Sequence, residues 1–309
     1  MVAAFSLPIP PIVFLVFNRP DCTARSLAAI RRAQPQRLYV VADGPRADRP
    51  ADAALCAEVR AFVERGVDWP CEVIRDYAPS NLGLARRVSS GLDAVFARET
   101  EAIILEDDCV ADPSFFRFAS ELLARYRDEP RVAQIAGCTF QEPGEGGAAS
   151  YYFSRYPHCW GWATWRRAWK HYDHGMSAWR ETQGREWLSK WIPDPVERGA
   201  WVHNFEATAN GRIDSWAYRW TLALWQEGAL SIVPDRNLVS NIGFGSGATH
   251  TREAGSLGAR PLSPMPFPLV HPHALVRDGA ADERTSRRVF LRPPLVRRLL
   301  RRVRRIFFP

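Results

Sequence analysis

The feature that most constrains this chain is a rhythm. Over the first 140 residues, short unbroken apolar runs (residues 12–17, 37–42, 71–75, 102–105 and 132–136) alternate with stretches of helical periodicity (21–33, 52–65, 83–98 and 113–127). A strand apolar at every position is covered on both faces, and strands separated by helices join through right-handed crossovers. The rhythm therefore predicts an α/β fold whose mainly parallel sheet is flanked by helices.

In such a sheet, ligands bind at the carboxyl ends of the strands. Polar residues gather at those ends: Asn18-Arg19 after the first run, Asp43-Gly44 after the second, and Glu106-Asp107-Asp108 after the fourth. Three polar clusters on one rim point to a nucleotide-type pocket. The acidic run, in AIILEDDCVADPSFFRF (102–118), raises its own question, since adjacent carboxylates repel one another unless a cation or ligand hydroxyls neutralise them. Mg²⁺ or Mn²⁺ would do so, taking one or two carboxylates and completing its shell with water and phosphates. The alternative is a solvated loop with capping acids, for Asp112 before Pro113 already has the form of a helix N-cap.

Composition sets the outer limits. With 309 residues, 46% hydrophobic, the chain can bury a large core in one large domain or two small ones. Six scattered cysteines without a C-x-x-C pair suggest neither a zinc site nor a disulfide framework, and a reduced, cytoplasmic setting fits them. The apolar run at 12–17 does not resemble a signal peptide, and no run approaches the roughly 20 apolar residues of a membrane span. Eleven of the twelve tryptophans fall between residues 151 and 251, enough to make many of them core and leave a subset for stacking on sugar rings. Residues 261–286 are rich in proline and read as an extended linker.

The net charge of +7 belongs to one end. Residues 287–309 hold nine arginines and no acid, so the rest of the chain is at −2. From Leu295 onward, apolar residues recur at spacings of three and four between the arginines. Such a basic amphipathic helix suits an anionic membrane surface, as a peripheral contact on the inner face. Docking on the body and a nucleic-acid tail are the alternatives, but no aromatic stacking pattern or nucleic-acid motif accompanies the arginines, so no nucleic-acid partner is expected.

FNRP after the first strand, VADGP after the second, SNLGLARR before a helix, ILEDDCVADPSFFRF and CWGWATWRRAW together resemble the family 2-type glycosyltransferases of the GT-A fold, in motif style close to the N-acetylglucosaminyltransferase I group. The resemblance covers roughly residues 10–251. It implies a Rossmann-like GT-A domain over 1–260, with a nucleotide-sugar-binding half (1–140) and an aromatic-rich acceptor half (141–260); the linker and the basic helix that follow lie outside the resemblance. It also implies a metal-dependent transfer of a sugar from a nucleotide donor, UDP-sugar favoured, to a glycan or lipid-linked acceptor in cell-surface polysaccharide synthesis.

Residue by residue, the resemblance implies that Arg19 and Asp43 contact the base, and that Arg86 or Arg87, behind Asn81 and Gly83, faces base or diphosphate. Glu106 and Asp107 would hold ribose and ordered water, while Asp108 and His250 would ligate Mn²⁺ or Mg²⁺. Gly161 and Trp162 would line the acceptor cleft with Trp216, and Phe244, among Gly243, Gly245 and Gly247, would belong to a closing loop. Asp214 stands where the relatives place their catalytic base, either in that role or as a helix N-cap. The relatives carry an acid directly after a Trp, whereas here Ala217 follows Trp216. A sugar-nucleotide nucleotidyltransferase would share the sheet and the acidic rim, but FNRPDC lacks its Gly-rich phosphate loop. A degenerate transferase that only binds is the other alternative, kept open by Ala217.

Overall fold

The computed structural model describes residues 8–181, 186–243 and 260–291. The expectations for Phe244, His250 and most of the basic helix, 292–309, lie outside the described residues. The first half has the expected alternation: β1 (Ile12–Val16), α1 (Pro20–Ala33), β2 (Arg37–Ala42), α2 (Ala51–Gly66), β3 (Glu72–Tyr77), α3 (Leu84–Phe96), β4 (Glu101–Glu106), β5 (Cys109–Ala111), α4 (Pro113–Arg125) and β6 (Val132–Ala136). β1 and β6 are buried at every position, as a strand between two helical layers must be. Asp112 caps α4 by accepting from Ser114 N at 2.8 Å, with Pro113 in the first turn.

The second half supplies β7 (Tyr151–Ser154), β8 (Trp162–Trp165), α5 (Arg166–Trp169), α6 (Ser177–Glu181), α7 (Glu186–Trp191), α8 (Pro195–Ala209), α9 (Trp216–Gln226), β9 (Leu230–Pro234) and β10 (Val239–Asn241). Eight strands form one sheet in the order β3-β2-β1-β4-β8-β6-β9-β7. β3, β2, β1 and β4 are parallel, β8 runs antiparallel between β4 and β6, and β7 is antiparallel to β9. β6 and β9 are thus parallel to β4, and the carboxyl ends of β1, β2, β4, β6 and β9 share one edge. β10 pairs with β5 in a separate two-stranded ribbon at that edge.

Two apolar layers sandwich the sheet, and a third cluster packs α6, α7, α8 and α9 together. Eight of the eleven clustered tryptophans are buried, and Trp160, Trp187 and Trp191 are half-buried. His158 is held in the same way. It is 5% exposed, meets Phe140 edge-on at 4.7 Å and stacks against Tyr156 at 6.4 Å. It is a core histidine and not a side chain of an open cleft.

The expected linker is corrected. Residues 260–278 are extended but dock on the body: Met265 and Leu269 are buried in the main core, and Ser150 N donates to Val270 O at 2.8 Å. Phe153 pairs with Arg277, so the segment covers the outer edge of β7. It then enters α10 (Gly279–Thr285) and a π-helical turn (Ser286–Phe290). There Arg288 bonds the Phe140 carbonyl and Glu145, and Phe290 packs 4.7 Å from Trp201. The first residues of the basic segment are therefore anchored to the body, through ion pairing and aromatic contact.

Burial lowers the His158 pKa to about 3. An imidazole that stays neutral when folded but takes up a proton near pH 6.5 when unfolded costs stability as pH falls below 6.5, by up to about 1.4 kcal/mol per unit. Between pH 7 and 5 the loss should be about 2 kcal/mol in urea unfolding. His158→Phe should remove that increment from the acid limb.

Candidate functional site

The site is built from chain segments that leave β1, β2 and β4 at their carboxyl ends. After β1, the chain turns through Asn18 and Arg19 directly into α1, whose first turn starts at Pro20. Asn18 is spent on structure, donating to Asp52 at 2.8 Å, where Arg46 also binds. Arg19 reaches across the edge to β4. Its guanidinium forks onto Asp107, through Nη2 and Nε, and onto Asp108, through Nη1 at 2.9 Å.

This fork answers the question raised by the acidic run. Asp107 and Asp108 are 2% and 8% exposed, so their charges are tolerated only because a cation lies between them. Burial works against the Arg19 charge, but Asp107 and Asp108 outweigh it and hold the guanidinium above its ordinary value. Asp107 also accepts from the Phe17 amide. Arg19 and Asp107 were expected to contact base and ribose. Here they are paired with each other, and Asp107 is an internal counter-ion.

One guanidinium does not balance three carboxyl groups. Glu106, half-buried at the end of β4, has its pKa raised, first by desolvation and then by the charges of Asp108 and Asp107. It receives a hydrogen bond from the Trp216 indole. Holding all three acids ionised at once would take further positive charge. Over Asp108 lie Asn241, at the end of β10, and Gly243 just after it. Asn241 Nδ2 donates to Asp108 Oδ1 at 3.2 Å, and the Ile242 amide donates to the Asp108 carbonyl at 2.8 Å. A Cβ on Gly243 would fall 2.1 Å from Asp108 Oδ2, the oxygen that accepts from Arg19 Nη1, so only glycine fits over this ion pair. Among the described residues, no group of three or more His, Cys, Asp or Glu side chains is arranged to hold a metal. Asp108 alone, with water and ligand phosphates, is nonetheless a usual donor set for Mg²⁺.

Around β2 the second part of the site is preorganised. Asp43, 7% exposed, accepts from the Gly44 and Leu82 amides, each at 2.9 Å, and from Asn81 Nδ2 at 2.9 Å. Desolvation raises its pKa against these bonds. The Asn81–Gly83 loop can approach so closely because Gly44 meets the Ser80 backbone with no room for a side chain, and Gly83 takes φ +82°. Arg60, which the sequence did not single out, ties this corner together by donating to the Asp43 and Ala78 carbonyls.

Asp214 comes to the same loop from the other half. Its carboxylate faces the Ala85 amide at 3.3 Å and lies 3.1 Å from where a Gly83 Cβ would be. The residue is exposed. It does not cap its own helix, because Ser215 caps α9 by accepting from Tyr218 N. The two arginines behind the loop divide: Arg87 is buried and salt-bridged to Asp76 at 2.8 Å, while Arg86 is exposed. Arg87 therefore leaves the list of base or diphosphate contacts, and Arg86 remains on it.

Three expected acceptor-lining residues are instead structural. Trp162 is 0% exposed and stacks on Trp216 at 5.3 Å; Trp216 is 2% exposed. Trp216 serves the site indirectly, by presenting its indole N–H to Glu106. Gly161, at φ +64°, is a packing glycine whose Cβ would strike Val239 and Leu105. Sequence reasoning missed Asn241 and gave Gly243 only to a closing loop; both stand 133 or more positions from Asp108 and meet it only through the β5–β10 pairing.

No family model and no curated protein matches the chain. Among solved structures it is similar to the mannosyltransferase PcManGT from Pyrobaculum calidifontis in complex with GDP-Man and Mn²⁺. The match has 13% identity and a TM-score of 0.40 over 72% of this chain and 70% of that one. It is also similar to residues 1–349 of S. aureus TarS, at 10% identity and a TM-score of 0.42 over 73% of this chain. It spans 58% of the TarS chain.

Removing Arg19 should expose the electrostatics of the fork. Arg19→Gln leaves Asp107 and Asp108 buried and uncompensated, a loss of about 3–5 kcal/mol at pH 8. A carboxyl group whose folded pKa is raised binds protons more readily folded than unfolded, so acidification should recover part of the loss. Urea midpoints of the variant and the parent should converge between pH 8 and 5.

Proposed function

We propose that the chain is a metal-dependent, GT-A-type glycosyltransferase that moves a sugar, with inversion, from a nucleotide donor to a glycan or lipid-linked acceptor in cell-surface polysaccharide synthesis. The observation that carries this reading is the convergence, on one edge of a mainly parallel sheet, of a preorganised carboxylate at Asp43 and an under-neutralised acidic cluster at Glu106–Asp108. The exposed carboxylate of Asp214 lies against the loop that holds Asp43. A base with an imide N–H suits Asp43 as acceptor, with Asn81 and Arg86 flanking it. UDP is the favoured nucleotide on the sequence resemblance.

Asp108 would hold Mn²⁺ or Mg²⁺, with His250 as a further ligand, and the cation when bound would offset charge on the departing diphosphate. Arg19 pairs with Asp107 and Asp108 and adds positive charge at the same place. In the transfer itself, the acceptor oxygen bonds to the anomeric carbon as the bond to the diphosphate oxygen breaks, and the hydroxyl proton passes to the Asp214 carboxylate. Phe244 and its glycine-rich surroundings would exclude water from the bound donor.

Donor binding can be read from thermal stability, since a ligand at a hundred times its Kd stabilises by about 2.7 kcal/mol. UDP, GDP and dTDP should be compared with and without Mn²⁺. We expect a metal-dependent rise in Tm for one of them, lost in Asp108→Ala. Asp214→Asn should keep that rise while transfer falls by about 10²–10⁴-fold. If none of the three nucleotides shifts the Tm, the transferase reading is wrong; if Asp214→Asn transfers normally, another base acts.

The arginine-rich residues beyond the body are proposed to hold the enzyme on the anionic inner face of the membrane. Because Arg284 and Arg288 tie down the loop around Glu145, the informative truncation ends after Leu291. The shortened chain should keep its nucleotide response and lose binding to vesicles containing phosphatidylserine. Equal sedimentation of both forms with those vesicles would remove the membrane role.

A further inference from the structure

A cavity of roughly 210 Å³ lies on the carboxyl edge of the sheet, away from the proposed donor site. Its walls are the start of β7 with Tyr151 and Tyr152, Asp235 just after β9, the loop running from Gln141 to Ala149, and the C-terminal segment with Asp278 and Arg284. The sheet fixes its position. β9 is parallel to β4 and three strands away, so at about 4.8 Å per strand Asp235 lies about 14 Å from Glu106 along the same edge.

Its chemistry is uneven in an informative way. Asp235 Oδ1 is buried with no hydrogen-bond partner among the described residues, which is costly, and the buried Tyr152 hydroxyl has Thr139 and Gln141 as its polar neighbours. The cation on the wall is already engaged: Arg284 donates to Gln141 Oε1 at 2.6 Å and lies 3.8 Å from Glu145. Asp235 stands 3.8 Å from Arg236 and Asp278 caps α10, so the walls hold no guanidinium that is not already paired and offer little to a phosphate or a carboxylate. The cavity suits a neutral ligand that presents hydroxyl donors to a carboxylate and a phenol, and C–H faces to tyrosine rings. On the loop wall, a Cβ on Gly146 would come to 3.6 Å from Asp235 Cβ, and one on Gly147 would meet nothing.

We propose that this cavity is an acceptor subsite that binds one neutral sugar residue of an oligosaccharide, several units from the residue that receives the new sugar. The assignment rests on the transferase reading, because the shared edge and the distance make the two sites ends of one track. It gives the C-terminal segment 270–284 a role in binding as well as in covering β7, and it makes the acceptor an oligosaccharide and not a single sugar.

The test is saturation-transfer NMR on the full chain with glucose, galactose, mannose and N-acetylglucosamine as separate probes. We expect transfer to at least one of them, reduced at least fivefold in both Tyr152→Phe and Asp235→Asn. The nucleotide-dependent Tm shift should be unchanged in those variants, which also shows that they fold. No transfer from any of the four sugars, or transfer that persists in both variants, overturns the subsite. A sugar signal without any nucleotide shift keeps the cavity as a saccharide site and removes the track; a nucleotide shift without a sugar signal removes the subsite alone.

Discussion

The Arg19 fork is the interaction on which the rest of the site depends. β4 delivers three acidic residues to the interior end of a parallel sheet, where each ionised group loses the solvation it would have in water. Placing a guanidinium between Asp107 and Asp108 lets the strand end there without forcing both acids to be neutral. The same contact sets the start of α1, since Arg19 is the residue before Pro20, and joins β1 to β4 beyond their ladder. The charge that the guanidinium leaves unbalanced is what the proposed reading uses to place a doubly charged ion at Asp108.

Around that centre the two halves of the chain contribute unlike things. The first half gives fixed backbone and carboxylates: Asp43 is held by two amides and an asparagine, so its orientation is settled before any ligand arrives. The second half gives placement from behind. Trp216, sealed among Trp162, Trp169 and Trp220, fixes the Glu106 carboxyl without touching solvent, and α9 carries Asp214 to the Gly83 loop. The tryptophan-rich segment is thus mostly a rigid backing for the acids, with few rings left for a ligand.

Much of the first half was legible because its signal is local. A strand buried on both faces is apolar at every position, so β1, β2, β4 and β6 were found within a residue or two of their bounds, and Asp112-Pro113 announced α4. β7 and β8 are four residues each, and an aromatic run of that length reads equally as helix or strand. At the site, the residue types were legible and their partners were not. The roles of Arg19 and Asp107 depend on a contact spanning 88 positions, and Arg87 differs from Arg86 only in which side of α3 meets Asp76. Asn241 had no chemical signature at all and Gly243 signalled only a loop, since a glycine over a carboxylate is visible only once β5 and β10 are paired.

The cover over β7 has a bearing on how the molecule is made. An outer strand with unsatisfied amides and carbonyls is a template for association between chains. Here the groups on that strand are met by residues from about 270 to 278, which emerge during synthesis more than a hundred positions after the strand itself. Until they arrive, the nascent sheet carries an open flank, so premature termination in this stretch should yield an aggregating product even though every residue of the acidic centre is present.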